Sequence, residues 1–129
     1  MIDNYFEKIE KTILEFRYLL KSSSIFKKSY NSKQGYIKGD VIFIDDSRLC
    51  FIEVKDTEVK QKNKYRFHYM DKNENLIFRY DNASHHMEIK TFPHHKHTDE
   101  SIMDSHEPEL GDILIEVQKL INLEAKRKS

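Results

Sequence analysis

Histidine and arginine residues are concentrated in one stretch of this chain. Six of the seven histidines lie between Tyr65 and His97. Histidine titrates near neutral pH, so two suitably placed histidines can act as general base and general acid. Arginine forks match phosphate oxygens and can stabilise the charge that develops when a phosphate reacts. The residue types in this stretch therefore indicate that it binds and turns over a phosphate.

Two strand-like runs carry these residues, Tyr65–Asp71 and Leu76–Asp81, and Lys72–Asn75 is predicted to join them as a tight turn. Strand side chains alternate between two faces, so a turn centred on Asn73 and Glu74 fixes which residues share a face. The aromatic pairs on one face are Phe67 with Tyr80 and Tyr69 with Phe78. The polar pairs on the other face are His68 with Arg79 and Arg66 with Asp81.

The polar face and the histidines that follow it form the predicted site. Metal-independent RNA cleavage needs a base for the 2′-hydroxyl, an acid for the leaving oxygen and cations for the phosphate. The candidate catalytic residues are His68, His85, His86, Arg66, Arg79 and Asp81. Basic residues interleaved with aromatic ones suit unstacked RNA bases. The candidate substrate-binding residues are Lys64, Tyr80, Asn82, His94, His95, Lys96 and His97.

Two other interpretations of these residues stay open. The polar pairs could be ordinary cross-strand contacts, and adjacent histidines such as His85 and His86 point in different directions. Alternatively, His95 and His97 could bind a metal ion, because residues two apart share a side of an extended segment. Asp81, Asp99 or His85 would then supply further ligands. No spacing of a known metal motif accompanies these residues, so we predict neither a metal nor a cofactor.

The remaining chain is predicted to be the scaffold of this site. Apolar periodicity predicts helices over Ile2–Lys21 and Leu110–Leu123. A hairpin is predicted from strands over 36–44 and 49–54, and a short fifth strand over 88–92. Residues 25–34 could be a loop or a short strand, and residues 98–108 are predicted to be a loop. We therefore expect one α+β domain over 1–129, with a four- to five-stranded, mostly antiparallel sheet and both terminal helices packed on one face.

Composition limits the classes of function. The charges of the 22 basic and 22 acidic side chains cancel, so the molecule as a whole has no net positive charge that would attract polyanions. A local excess exists, because residues 60–97 hold eight Lys and Arg against four Asp and Glu. Cys50 is the only cysteine, so no intrachain disulfide can form, and its apolar neighbours predict a buried position. With no signal-peptide pattern and no long apolar run, we expect a cytoplasmic protein without membrane contact.

The sequence of the predicted site resembles that of the TumE-like toxins of bacterial and archaeal toxin–antitoxin systems. The motifs that carry the resemblance are YRFHYMD from Tyr65, FRYDNA from Phe78, the pair His85-His86, and FPHHKH from Phe92. The hairpin Gly39–Phe51 and the helix after Pro108 also fit, so the resemblance covers nearly the whole chain. One departure is Ser84, where the family often has proline.

The resemblance implies a small cytoplasmic toxin that arrests growth when its antitoxin is lost. The partner would be a helix-turn-helix antitoxin of a type II system, and a homodimer or a hetero-oligomer with that antitoxin stays open. Cleavage of RNA is our prediction from the residues. The alternatives are a transferase that modifies tRNA, protein or a nucleotide, and a non-catalytic interaction module whose histidines are structural or hold a metal.

Overall fold

The computed structural model describes residues 1–83 and 93–128, which form one antiparallel sheet and two α-helices. The elements in chain order are α1 (Ile2–Glu15), a 3-10 turn (Arg17–Leu19), β1 (Leu20–Ser29), β2 (Gln34–Phe43), β3 (Arg48–Asp56), β4 (Lys64–Met70), β5 (Leu76–Asp81), β6 (His95–His97), β7 (Ile102–Asp104) and α2 (Leu110–Lys128). Each strand pairs with the next one along the chain. The predicted α+β class is confirmed, whereas the predicted count of four to five strands is wrong because the described sheet has seven.

The extra strands lie where the sequence carries no strand signal. The first helix ends at Glu15, not Lys21, and β1 occupies the stretch that follows. Strand β1 is mostly exposed on both faces, so its serines and lysines show no apolar alternation. Strands β6 and β7 have three residues each, too few for a periodic pattern, and β7 lies inside the predicted loop over 98–108. The strand predicted over 88–92 lies outside the described residues.

The register predicted for the β4–β5 hairpin is confirmed. Phe67 pairs with Tyr80 and Tyr69 with Phe78, while His68 pairs with Arg79 and Arg66 with Asp81. In the turn, the Asp71 carboxylate accepts hydrogen bonds from the backbone N–H groups of Asn73 (2.8 Å) and Asn75 (3.0 Å). An Asx-type turn and aromatic pairs in which Phe67, Tyr69 and Phe78 are buried and Tyr80 is half-buried together specify one register, because a slip by one residue would expose the aromatic side chains.

The apolar side chains of both helices and of one sheet face form the core. From the sheet, Phe43, Leu49 and Phe67 are fully buried at 0% exposure. The helices contribute Phe6, Ile9 and Ile13 from α1 and Ile113, Leu114 and Val117 from α2. We call this side of the sheet the helix face. Both helices thus pack on one face of the sheet, and neither of them covers the other face.

The opposite side of the sheet, which we call the open face, carries the side chains that alternate with the core residues. Its members on β2 to β6 are Lys38, Asp40, Cys50, Ile52, Arg66, His68, Met70, Arg79, Asp81, His95 and His97. Cross-strand pairs of an antiparallel sheet point to the same side, so these residues form rows across adjacent strands. The open face therefore gathers both arginines of the predicted site and three of its histidines.

Candidate functional site on the open face

His68 lies between two arginines at the middle of the open face. Arg79 is its cross-strand partner on β5, and Arg66 precedes it by two residues on β4. Burial lowers the pKa of His68, and the charges of Arg79 and then Arg66 lower it further. The imidazole is therefore neutral at physiological pH and has a lone pair that can accept a proton.

A groove of about 400 Å³ runs beside His68. Phe26, Cys50 and Ile52 form apolar parts of its wall, and Arg66 and His68 line one side. The predicted core position of Cys50 is wrong, because the residue sits on the open face opposite His68. Burial raises the pKa of the Cys50 thiol, so it stays protonated and serves as wall rather than nucleophile. The groove combines an apolar wall with a basic margin, as a site for a nucleobase next to a phosphate would require.

A second depression of about 240 Å³ lies on the other side of Arg66. Five predicted site residues line it: Lys64, Arg66, Arg79, Asp81 and Asn82. Asn82 also has a structural task, since its side-chain oxygen accepts a hydrogen bond from the backbone N–H of Tyr65 at 3.0 Å. Arg66 borders both depressions, so one guanidinium can reach a ligand that extends from one into the other.

Asp81 is the centre of a buried polar cluster at the end of the open face. Its Oδ1 lies 2.6 Å from Nε2 of His95, and its Oδ2 lies 3.3 Å from Nε2 of His97. The guanidinium of Arg79 donates from Nε to the same Oδ2 at 3.1 Å. Asp81, His95 and His97 are 5%, 0% and 8% exposed, respectively. The register explains the cluster, because β6 pairs with β5 so that His95 faces Asp81 and His97 faces Arg79.

Three predicted substrate-binding residues lie away from the open face. Tyr80 and Lys96 point to the helix face, where both bind the Glu116 carboxylate of α2 at 2.6 and 2.7 Å. The His94 ring stacks on Tyr65, with ring centres 5.7 Å apart and planes 3° from parallel. His85 and His86 lie outside the described residues. The roles of all five stay predictions.

Sequence reasoning missed the residues contributed by β2. Lys38 lines the groove, and Asp40 lines it while bonding Arg48 through Oδ1 at 2.7 Å. The arginine bond holds the pKa of Asp40 below its usual range. The alternation along 36–44 separates these polar residues from the core residues. The alternation does not reveal that Lys38 and Asp40 share a groove with His68, which lies two strands away. Their proximity depends on the registers of the β2–β3 and β3–β4 pairs.

The sheet and the open face define a small α+β protein that displays histidine and arginine on the side opposite its helices. The family model described as Toxin TumE matches residues 9–121 of the 129-residue chain, which therefore belongs to this toxin family. The resemblance stated from the motifs is thus confirmed. No curated protein and no solved structure matches the chain significantly. Among residues 1–83 and 93–128, no helix is long and apolar enough to cross a membrane.

Proposed function

We propose that this toxin is a metal-independent ribonuclease that acts in the cytoplasm and arrests growth by cleaving RNA. His68 is the general base that takes the proton of the 2′-hydroxyl. Arg66 and Arg79 hold the non-bridging phosphate oxygens as charge builds on them. One of His85 and His86 protonates the leaving 5′-oxygen. The attacking 2′-oxygen forms a bond to phosphorus while the bond from phosphorus to the 5′-oxygen breaks, so the products carry a 2′,3′-cyclic phosphate and a 5′-hydroxyl.

One observation supports this proposal above the others: a histidine with a lowered pKa has an arginine opposite it and another beside it. Such a histidine is poised to accept a proton, and the two cations that lower its pKa are also phosphate ligands. The adjoining groove of about 400 Å³ could hold a base against Phe26 and Ile52. RNA cleavage needs groups that bind a nucleobase and a phosphate next to a neutral imidazole that accepts a proton.

The alternative is a transferase that modifies tRNA, a protein or a nucleotide, with the arginines holding a nucleotide co-substrate. The sequence has only three glycines, Gly35, Gly39 and Gly111, and no Gly-rich phosphate loop. This disfavours the transferase relative to the nuclease. A mass increase of tRNA or of a cellular protein after induction would support the transferase.

The first experiment follows growth and total RNA together after induction of the chain alone in a bacterial host. We expect the wild type to stop growth and degrade RNA. The variants His68→Ala and Arg79→Ala should abolish both effects because they remove the base and a phosphate ligand. His106→Ala is the matched control, since His106 is exposed in the connection before α2, and it should remain toxic.

Circular dichroism and thermal unfolding establish that each variant is folded. Growth arrest with intact RNA would refute the nuclease while leaving the toxin assignment in place. Full toxicity of folded His68→Ala would refute the role of His68.

The partner that we propose is a helix-turn-helix antitoxin of a type II system. The toxin family supports an antitoxin partner. Co-expression with the neighbouring gene product should restore growth, and the two proteins should then purify together as a hetero-oligomer. Restored growth without a protein complex would contradict the type II arrangement.

A further inference from the structure

We propose that Asp81, His95 and His97 form a binding site for one divalent transition-metal ion of the Zn²⁺ class, which fastens β6 to β5. Each residue offers one ligand atom, and the three ligand atoms lie within 4.8 Å of one another. Two imidazole nitrogens and one carboxylate oxygen are donors that Zn²⁺ accepts readily. The ion would have a structural role, since the proposed reaction uses His68 and needs no metal.

The tautomer of His95 supports the site. Its Nδ1 lies 2.8 Å from the carbonyl oxygen of Pro93, and because a carbonyl only accepts, Nδ1 must carry the proton. In the neutral ring Nε2 then has a lone pair, and Asp81 Oδ1 lies 2.6 Å from this nitrogen. Two acceptors at this distance require a proton between them, and a metal ion would replace that proton as the two atoms move apart to its ligand spacing. A backbone carbonyl that orients a histidine in this way is a common outer-shell partner in metal sites.

Burial and charge also favour an ion. All three side chains are at least nine-tenths buried, so water does not easily compensate the Asp81 carboxylate. The one cation that bonds this carboxylate among the described residues is Arg79, which is itself 28% exposed at the side chain. Its guanidinium can turn outward and free Oδ2 for a metal ion.

The weak edge of the sheet gives the ion a structural role. Strands β6 and β7 have only three residues each, and β6 is joined to the rest of the sheet through three residue pairs with β5. Asp81 belongs to β5, whereas both histidines belong to β6. A metal ion bound to all three would cross-link the two strands and stabilise the folded state by mass action.

The test uses the purified full chain, treated with EDTA, dialysed and then titrated with Zn²⁺. We expect one Zn²⁺ per chain and an increase in the thermal unfolding temperature. His97→Gln should bind Zn²⁺ at least about 10-fold more weakly, since the loss of an outer-shell partner alone costs that much. His106→Ala, an exposed histidine outside the cluster, should bind Zn²⁺ like the wild type.

Equal Zn²⁺ affinity of folded His97→Gln and wild type would overturn the site, as would a wild type that binds no Zn²⁺. If His97→Gln does not fold, nuclear magnetic resonance of the wild type decides instead. Added Zn²⁺ should shift the ring signals of His95 and His97 and leave those of His106 in place. A shift of the His106 signals without the other two would refute the site.

A cleavage assay on the EDTA-treated chain separates this inference from the proposed function. Retained cleavage together with Zn²⁺ binding would support both. Loss of cleavage that Zn²⁺ restores would refute the metal-independent reaction and leave the metal site intact. Cleavage without any Zn²⁺ binding would refute the site and leave the reaction intact.

Discussion

At the scale of the residue, His68 has neighbours on β3, β4 and β5 that give it a different environment from that of a surface histidine. Arg79 on β5 and Arg66 on its own strand contribute positive charge, and Cys50 on β3 contributes a thiol that burial keeps neutral. Burial and the two arginines all act in one direction and lower the pKa of the imidazole below 6.5. As the base of the proposed reaction, His68 would work throughout the neutral range and be protonated only as the pH falls through its lowered pKa.

The first prediction concerns the pH dependence of cleavage. Replacing Arg66 by Gln removes a positive charge that opposes protonation, so the pKa of His68 should rise. The acid limb of the pH–rate profile should then move to higher pH. A nuclear magnetic resonance titration of the His68 ring measures the same shift without any assay of activity. Lys72→Gln removes an exposed charge from the β4–β5 turn and should leave the ring titration unchanged.

An unchanged titration of His68 in Arg66→Gln would show that the arginine does not act on this ring. An unchanged pH–rate profile together with a shifted titration would instead show that His68 is not the base.

A second group of buried charges lies on the helix face and has a structural task. Glu53 and Lys62 are 1% and 5% exposed, and the Lys62 ammonium lies 3.9 Å from Glu53 Oε1. Tyr5 of α1 donates its hydroxyl hydrogen to the same carboxylate. Burial raises the pKa of Glu53, whereas Lys62 and Tyr5 act against that increase. Lys62 is thus a core residue rather than part of a solvated basic surface.

The second prediction is that Lys62→Met lowers the free energy of unfolding by about 3 kcal/mol, because it leaves the Glu53 carboxylate buried without its cation. Chemical denaturation measures the change. Lys60→Met, at an exposed position of the same connection, is the control and should change stability by less than about 0.5 kcal/mol. Equal effects of the two substitutions would contradict the role of the buried pair.

At the scale of the element, Gly39 keeps β2 and β3 in contact with the core. Gly39 pairs regularly with Phe51 on one side and Ile25 on the other. A Cβ at this position would meet the Phe51 ring at 2.3 Å and Ile25 Cδ1 at 2.9 Å. The glycine is therefore required by packing, because the 3% exposed Phe51 ring occupies the space that a side chain would take.

The third prediction compares two glycines. Gly39→Ala should lower the free energy of unfolding by about 1–3 kcal/mol through overpacking. Gly111→Ala in α2 should raise it by roughly 0.5 kcal/mol, since alanine favours helices and the nearest atom to its Cβ would be Thr12 Cγ2 at 3.9 Å. Thermal and denaturant unfolding of both variants measures the two signs. A neutral Gly39→Ala would contradict the close packing of Phe51 on β2.

The elements differ in how far the sequence alone could predict them. Four residue pairs of the β4–β5 hairpin were predictable, because its short turn and its alternating aromatic residues specify the same register, whereas the register shift between Tyr69 and Met70 was not. Strand β1 was not, because its side chains face solvent and nothing in its composition distinguishes it from a polar loop. The register of the β4–β5 hairpin also predicted the neighbours of His68 on these two strands.

The Asp81 cluster was only partly predictable for a related reason. The spacing of His95 and His97 placed them on one side of a strand, and Asp81 was one of three candidate partners. Choosing among the three requires the pairing of β6 with β5. That pairing joins two segments separated by a connection whose length and composition do not determine where β6 returns to the sheet.

At the scale of the whole molecule, charge is balanced in total but unevenly distributed. The chain has no net formal charge, while the open face presents Lys38, Arg66 and Arg79 around the two depressions. Binding of single-stranded RNA should therefore depend on these few cations and not on a general attraction to polyanions.

The fourth prediction is a shallow salt dependence of RNA binding. With about three phosphate contacts, the logarithm of the affinity should fall with the logarithm of salt concentration at a slope of about −2. Arg66→Gln should reduce the magnitude of this slope by about 0.7. Lys8→Gln on the exposed side of α1 should not change it. A steep slope whose magnitude Lys8→Gln reduces as much as Arg66→Gln does would show that RNA does not bind on the open face.

The consecutive order of the strands has a consequence for the cell that makes the toxin. Each strand can join its predecessor as the chain emerges from the ribosome, since every sheet neighbour has already been synthesised. The core, however, also needs Ile113, Leu114 and Val117 of α2, which follow all seven strands. We expect the open face to be held in shape only after α2 docks. Under the proposed function, an RNA-cleaving surface would therefore form only after translation has moved past the whole sheet.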